Sequence, residues 1–388
     1  MKKIFLLFFL LIFFTIETNA APNITAPIAV IMCYDTGEIL YNRNMNERWI
    51  PASMTKIMTA FIVYEEIELG NITLDSQIWV SPNAASVSTD RRIEGSWIPL
   101  QSDTFITVDE LLKLMMIPSS NAACVVMAEY ISGSEETFAI RMNETAERIG
   151  MYAEFTNSHG AFVHYSDAYS IALLIRTFIQ RYPDILRITS QPLMNFNGLI
   201  YNNTNWLVRP ALLFEGADGF KTGTIRVAGW NHSTTAIRDD RRVIAVLMNT
   251  VDNPARQNQS RVLLEYGFSE MARLDKERAE RVRVFLNNSP IILNEPVIVR
   301  GHTLFLPIQN FNFNVTISEQ YLIATAGDNI FFLGRPLAII NGRMIHVNIP
   351  AEIINDRLYV SLCTMEQIAN ARADWDMSTG VVQLRGDI

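Results

Sequence analysis

PASMTKIMTAFIVYE, residues 51–65, decides how the rest of this 388-residue chain is read. Pro51 and Ala52 open an apolar helical run expected over Met54–Glu66, and Ser53 and Lys56 stand three residues apart at its start. Residues at i and i+3 share a helix face, so the Lys56 ammonium group can reach the Ser53 hydroxyl. A serine hydroxyl is a poor nucleophile until a nearby base takes its proton. Lysine serves as that base only where burial or a neighbouring cation lowers its pKa. Beyond the N-terminal Lys2-Lys3 pair the chain has only four lysines, Lys56, Lys113, Lys221 and Lys276. Ser-x-x-Lys alone is a common accident of composition.

Two further motifs change its weight. Ser119-Ser120-Asn121 follows Pro118 at the mouth of an apolar helical run, where Ser and Asn are also ordinary helix caps. Lys221-Thr222-Gly223, preceded by Asp218-Gly219-Phe220 and followed by Thr224, is the rarest of the three. Its bland reading is a strand that begins at a turn. Its chemical reading is an edge strand beside which a peptide lies. Gly223 would then allow close backbone approach, while Lys221 and Thr222 face a carboxylate. The order Ser-x-x-Lys, Ser-x-Asn, Lys-Thr-Gly within one domain-sized segment is the set shared by β-lactamases and penicillin-binding proteins.

The wider stretches PASMTKIMTAFIVYE, VDELLKLMMIPSSNAA, SHGAFVHYSDAYSIA and FEGADGFKTGTIRVAGWN closely resemble low-molecular-weight penicillin-binding proteins of the D-alanyl-D-alanine carboxypeptidase family. The resemblance runs from about Pro27 to Met271. It implies an α+β fold: an antiparallel sheet flanked by helices, with a helical subdomain closing the active-site cleft. It implies that Ser53 is the acylated nucleophile, Lys56 its base and Ser119 a proton relay. Asn121 would hold the substrate amide, and Lys221, Thr222 and Gly223 would lie along the terminal carboxylate end of the substrate. The oxyanion hole falls to the N–H groups of Ser53 and Thr224. Arg256, in NPARQNQSRVLLEYGF, matches an arginine used for the carboxylate; read alone it is a surface arginine. His159 matches a family His-Gly pair and is expected to be structural. Two departures, Ala122 for a frequent Asp and Thr224 for the usual aromatic or histidine, bear on substrate preference.

The resemblance further implies a peptidoglycan stem peptide ending in D-Ala-D-Ala as substrate, β-lactam antibiotics as inhibitors, and no cofactor. A β-lactamase would need a catalytic glutamate a few tens of residues after Ser-x-Asn, and Thr156–Tyr165 contains none. A catalytically silent wall-binding protein would be betrayed by a broken motif, and none is broken.

The flanks set the context. Lys2 and Lys3 precede an unbroken apolar run, Ile4–Phe14, and Thr18-Asn19-Ala20 offers small residues at a cleavage site. Residues 1–20 therefore read as a secretory signal peptide, with an uncleaved membrane anchor as the alternative, sending the protein to the outer face of the membrane or the cell wall. A formal charge of −8 argues against a nucleic-acid partner. Cys33, Cys124 and Cys363 are scattered and odd in number, and the five histidines show no metal-ligand spacing. Residues 21–272 are expected to form the catalytic domain. Residues 273–284, rich in charge, are expected to be a solvated connector. Residues 285–388 alternate short β-rich segments with turns, and a helical signal is confined to about Met365–Asn370. In that part NNSPIILNEPVIVRGHTLFLPIQ and PAEIINDRLYVSLCTMEQIANARADWDMSTGVVQL resemble the stalk domain named after copper amine oxidase N-termini, for which no copper site is inferred.

Overall fold

The computed structural model describes residues 20–386, apart from 312, 314, 319–322 and 369–370. All but the last residue of the expected signal peptide lies outside the described residues. Two early strands, β1 (Ile28–Cys33) and β2 (Ile39–Arg43), join three from much later in the chain. These are β3 (Ala217–Ile225), β4 (Gly229–Arg238) and β5 (Arg241–Thr250). Together they form an antiparallel sheet of order β2-β1-β5-β4-β3, with β3 at one edge.

Every residue of β1 is buried, because both faces of the sheet are covered. Ile28, Val30 and Met32 face a large core. That core is shared with several helices, chief among them α1 (Lys56–Glu68), α2 (Val108–Met116), α3 (Asn121–Ser132), α4 (Glu135–Arg148) and α5 (Ala168–Arg181). Ala29, Ile31 and Cys33 point the other way, towards Leu263, Leu264 and Met271 of α6 (Asn253–Arg281). A strand reads as continuously apolar when neither face meets water. The same holds for α1, buried from Lys56 to Glu66, which has no solvent stripe to give it a clear period. Its start differs slightly from expectation: a 3₁₀ turn, Ala52–Thr55, carries Ser53, and the α-helix begins at Lys56.

The second part of the chain is β-rich, as expected, and holds its own core around Leu306, Phe331, Val360 and Leu384. Arg283–Leu286 pairs in parallel with Val381–Arg385, and a five-stranded meander runs through residues 315–346. Its helix, Leu362–Ile368, begins earlier than expected.

Residues 273–284 require a correction. They form no solvated connector: α6 runs unbroken to Arg281, and the next strand starts at Arg283. The charges sit at i,i+3 and i,i+4 spacing and pair along the helix, Arg273 with Glu270 at 2.6 Å and with Glu277. Asp275 is buried at the junction, where it pairs with Arg241 and accepts the Gly301 N–H at 3.1 Å. A charge run looks like a solvated face in one dimension, but its partners here come from β5 and from the second unit.

Among the described residues no helix is long and apolar enough to cross a membrane. Helix α6 crosses the sheet closely at Gly267, where a Cβ would stand 2.6 Å from Val243 Cγ1 and 2.9 Å from Ile31 Cγ2. Both neighbours are stiff, β-branched and buried. Gly267→Ala gains about 1 kcal/mol of helix propensity, against roughly 1–3 kcal/mol for overpacking. The variant is therefore expected to unfold at a lower temperature; an unchanged or raised Tm would show that the helix moves off the sheet at no cost.

Candidate active site

The three motifs meet in one cleft of about 300 Å³, lined by Ser53, Glu94, Gly95, Ser96, Ser119, Thr204, Thr222, Thr224, Trp230 and Arg256. Ser53 lies on the 3₁₀ turn, just after Ala52, which adopts a left-handed φ of +51°. Such a conformation costs an L-residue about 1–3 kcal/mol and persists only where the surroundings enforce it. Here they do. Gly160, itself at φ +83°, lies so close that a Cβ on it would be 2.0 Å from the Ala52 carbonyl oxygen. Thr59 Oγ1 donates to the Ser158 carbonyl at 2.5 Å, clamping the same loop to α1.

Lys56 is fully buried, and its Nζ lies 3.0 Å from Ser53 Oγ, 2.7 Å from Asn121 Oδ1 and 2.7 Å from the His159 carbonyl oxygen. Burial brings its pKa down to about 8. Asn121 Oδ1 and the His159 carbonyl only accept, so they take two N–H groups. In the neutral amine those are the only two, and the lone pair is left pointing at the Ser53 hydroxyl.

Ser119 and Ser120 divide two tasks. Ser120 Oγ accepts the Ala123 N–H and caps α3. Ser119, at φ +70°, is turned out of the helix line and reaches the cleft wall. Asn121 has a supporting task beside the role that the resemblance gives it. Its Oδ1 holds Lys56, and one N–H of its Nδ2 donates to the Glu94 carbonyl at 3.0 Å, so each end of the amide makes a contact inside the protein. Its side chain thereby positions the base and the 88–97 loop.

Edge strand β3 forms the opposite wall. Gly223 is needed for close approach, as the sequence suggests, but the space is taken by the protein: a Cβ would stand 2.3 Å from the Pro51 carbonyl oxygen. Thr222 and Thr224 line the cleft. Arg256, from the first turn of α6, is buried: its Nη1 donates to Thr224 Oγ1 at 2.8 Å and its guanidinium lies over Trp230 at 4.9 Å. Lys221 Nζ donates to the Thr222 carbonyl at 3.1 Å and is itself fully buried. Burial, then the charges of Lys56 and Arg256, push Lys221 well below the usual lysine range. Burial alone lowers Arg256. Among the described residues no carboxylate pairs with Lys56, Lys221 or Arg256.

Behind the nucleophile, His159 Nδ1 accepts the Ala161 N–H at 3.1 Å, and His164 bridges Thr55 Oγ1 at 2.6 Å and Asn157 at 3.1 Å. These histidines support the loop, in line with the structural role expected of His159. Glu94, Ser96, Thr204 and Trp230 escaped sequence reasoning. They come from loops and a strand end, where no periodicity marks a wall residue. Among the described residues, no group of three or more His, Cys, Asp or Glu side chains is placed to hold a metal ion.

A family model described as D-alanyl-D-alanine carboxypeptidase matches residues 15–252, and one described as copper amine oxidase N-terminal domain matches residues 285–384. The D-alanyl-D-alanine carboxypeptidase DacF of Bacillus subtilis is 36% identical over 254 residues, 63% of this chain and 62% of that one. The chain thus spans under two thirds of that relative's length. Penicillin-binding protein 5 from Haemophilus influenzae is 30% identical with a TM-score of 0.61, over 65% of this chain and 73% of that one. Penicillin-binding protein D2 from Listeria monocytogenes, solved in its ampicillin-bound form, is 26% identical with a TM-score of 0.56, over 65% of this chain and all of that one.

Burial, then the Lys56 charge, lowers His164 to about 4, whereas an unfolded histidine titrates near 6.5. Between those values the unfolded chain binds the extra proton and the folded chain does not, so stability rises with pH there. Stability should therefore be full above about pH 6.5 and fall as the pH drops towards 4. His164→Gln should flatten that slope in a series of thermal unfolding curves; an equal slope in both proteins would remove His164 from the account.

Proposed function

We propose that this chain, which belongs to the D-alanyl-D-alanine carboxypeptidase family, removes the terminal D-alanine of peptidoglycan stem peptides through an acyl-enzyme on Ser53. The observation that carries the proposal is the Lys56 amino group, held 3.0 Å from Ser53 Oγ with two carbonyl acceptors directing its protons away. With a pKa of about 8, roughly a tenth of Lys56 is neutral at pH 7. That fraction takes the hydroxyl proton as Ser53 Oγ attacks the carbonyl carbon of the penultimate D-alanine. The tetrahedral oxyanion is taken by the Ser53 and Thr224 N–H groups, the latter on an edge strand whose outward backbone groups have no sheet neighbour. The proton then passes by way of Ser119 to the departing amine. D-alanine leaves, and water completes hydrolysis of the ester.

The substrate's free carboxylate would lie against Thr222 and Thr224, with Arg256 and Lys221 behind them. Two buried basic groups without a carboxylate partner favour an arriving anion, and the anion in turn favours their charged forms. The same carboxylate geometry and an acylating carbonyl are found in β-lactams, which would acylate Ser53 and stay. Asn121 acts here as a positioning residue for Lys56. The N-terminal leader, Lys2-Lys3 followed by an apolar run, supports export and work outside the membrane at the cell wall. The described residues of the second unit, 285–388, contribute no side chain to the cleft, which supports a spacer or wall-contacting role for it.

Mass spectrometry after penicillin treatment is expected to find the adduct on the peptide carrying Ser53, and none in Ser53→Ala. A full-yield adduct in that variant would sink the assignment. Acylation rate should also climb with pH and level off above about 8, as Lys56 loses its proton; a rate that is flat from pH 6 to 9 would exclude Lys56 as the base.

A further inference from the structure

Among the described residues Glu94 is the one carboxylate lining the cleft, and the proposed reaction gives it no task. Its placement is not casual. The loop that carries it is tied down from both sides of the cleft. On the helical side the Glu94 carbonyl accepts Asn121 Nδ2 at 3.0 Å, and Ser96 bridges to Ser120. On the sheet side Glu94 Oε2 accepts the Arg226 N–H at 2.7 Å, just past the end of β3. That contact spans the two walls and leaves Oε1 for a ligand.

The nearby arginines do not neutralise it. Arg92 is bonded to Asp90 at 2.7 Å, and Arg91 lies over the Trp97 ring at 4.5 Å. Among the described residues Glu94 has no ion pair. The cleft therefore presents two opposite electrostatic features: Arg256 and Lys221 behind the β3 wall, and a lone carboxylate on the facing loop. A ligand that satisfies both carries an anion and a cation. The leaving D-alanine supplies the anion, so the cation must sit on the acyl part, which stays attached to Ser53 after cleavage.

We propose that Glu94 is a specificity-determining residue that holds a primary amine on the side chain of the residue preceding D-Ala-D-Ala. The inference rests on the hydrolase reading above and narrows its substrate class to amine-bearing peptides. Because the amine remains bound while the ester forms, the interaction favours acylation of such peptides over acylated or neutral ones.

Two peptides test it: Nα-acetyl-Lys-D-Ala-D-Ala, with a free ε-amine, and its Nα,Nε-diacetyl form. Wild-type kcat/KM should favour the free amine by about five- to tenfold, the range of a partly exposed charge-assisted contact. Glu94→Gln keeps an acceptor for the Arg226 N–H, and its ratio should fall to about one through loss on the amine peptide. Glu94→Lys should drive the ratio below one. An equal loss on both peptides in Glu94→Gln would mean that Glu94 only braces the loop, and would overturn the proposal. So would a wild-type ratio of one while Ser53 still takes penicillin. Absence of both turnover and a Ser53 adduct would overturn the hydrolase reading and this inference with it.

Discussion

A primary amine buried with no carboxylate paired to it among the described residues is the constraint around which the catalytic half is arranged. Taking an ammonium group out of water is costly, and proteins meet the cost by supplying dipoles or by letting the group lose its proton. Lys56 receives both: carbonyl oxygens from Asn121 and His159, and an interior that brings its pKa to about 8. Each acceptor needs its own support. The His159 carbonyl depends on Gly160 fitting under Ala52, and Asn121 depends on the Ser120 cap that starts α3. Left-handed backbone at Ala52 and Ser119 adjoins Ser53 and the Ser120 cap in the chain, and at Ala52 the close approach of Gly160 enforces it.

Much of this was legible in the chain. Ser53 and Lys56 declare themselves by spacing, and Lys221-Thr222-Gly223 by rarity. Their meeting in one cleft follows from sheet order: β3 reaches the Ser53 turn because Gly223 leaves room for the Pro51 carbonyl. The Gly223 requirement was visible, but the group that fills the space was not, since a sequence shows the missing Cβ and not its would-be neighbour. Asn121 illustrates the same limit. An amide has two ends, and only the fold reveals that each makes a contact inside the protein. Glu94 left no trace, because a loop residue acquires its position from contacts made much later in the chain, Asn121 on the helical side and Arg226 on the sheet side.

The charged stretch after residue 272 misled for a different reason. Charges spaced for pairing along a helix look identical to charges meant for water until their partners are known. Arg241 and Gly301, which meet at Asp275, are separated from it by tens of residues in opposite directions. The second unit nevertheless read as β-rich, because strands and turns announce themselves locally, and most of its core comes from its own strands, with Ala279 of α6 packed against it.

Helix α6 joins these two worlds, with Arg256 in its first turn at the cleft and Arg281 where the second unit begins. At 1.5 Å per residue its 29 residues make a rod of about 44 Å. A flexible tether would let the two units tumble independently and would damp any pull between them. A rod seated on the sheet through Gly267 and pinned at Asp275 behaves instead as a lever: whatever grips the second unit also fixes the direction in which the cleft faces.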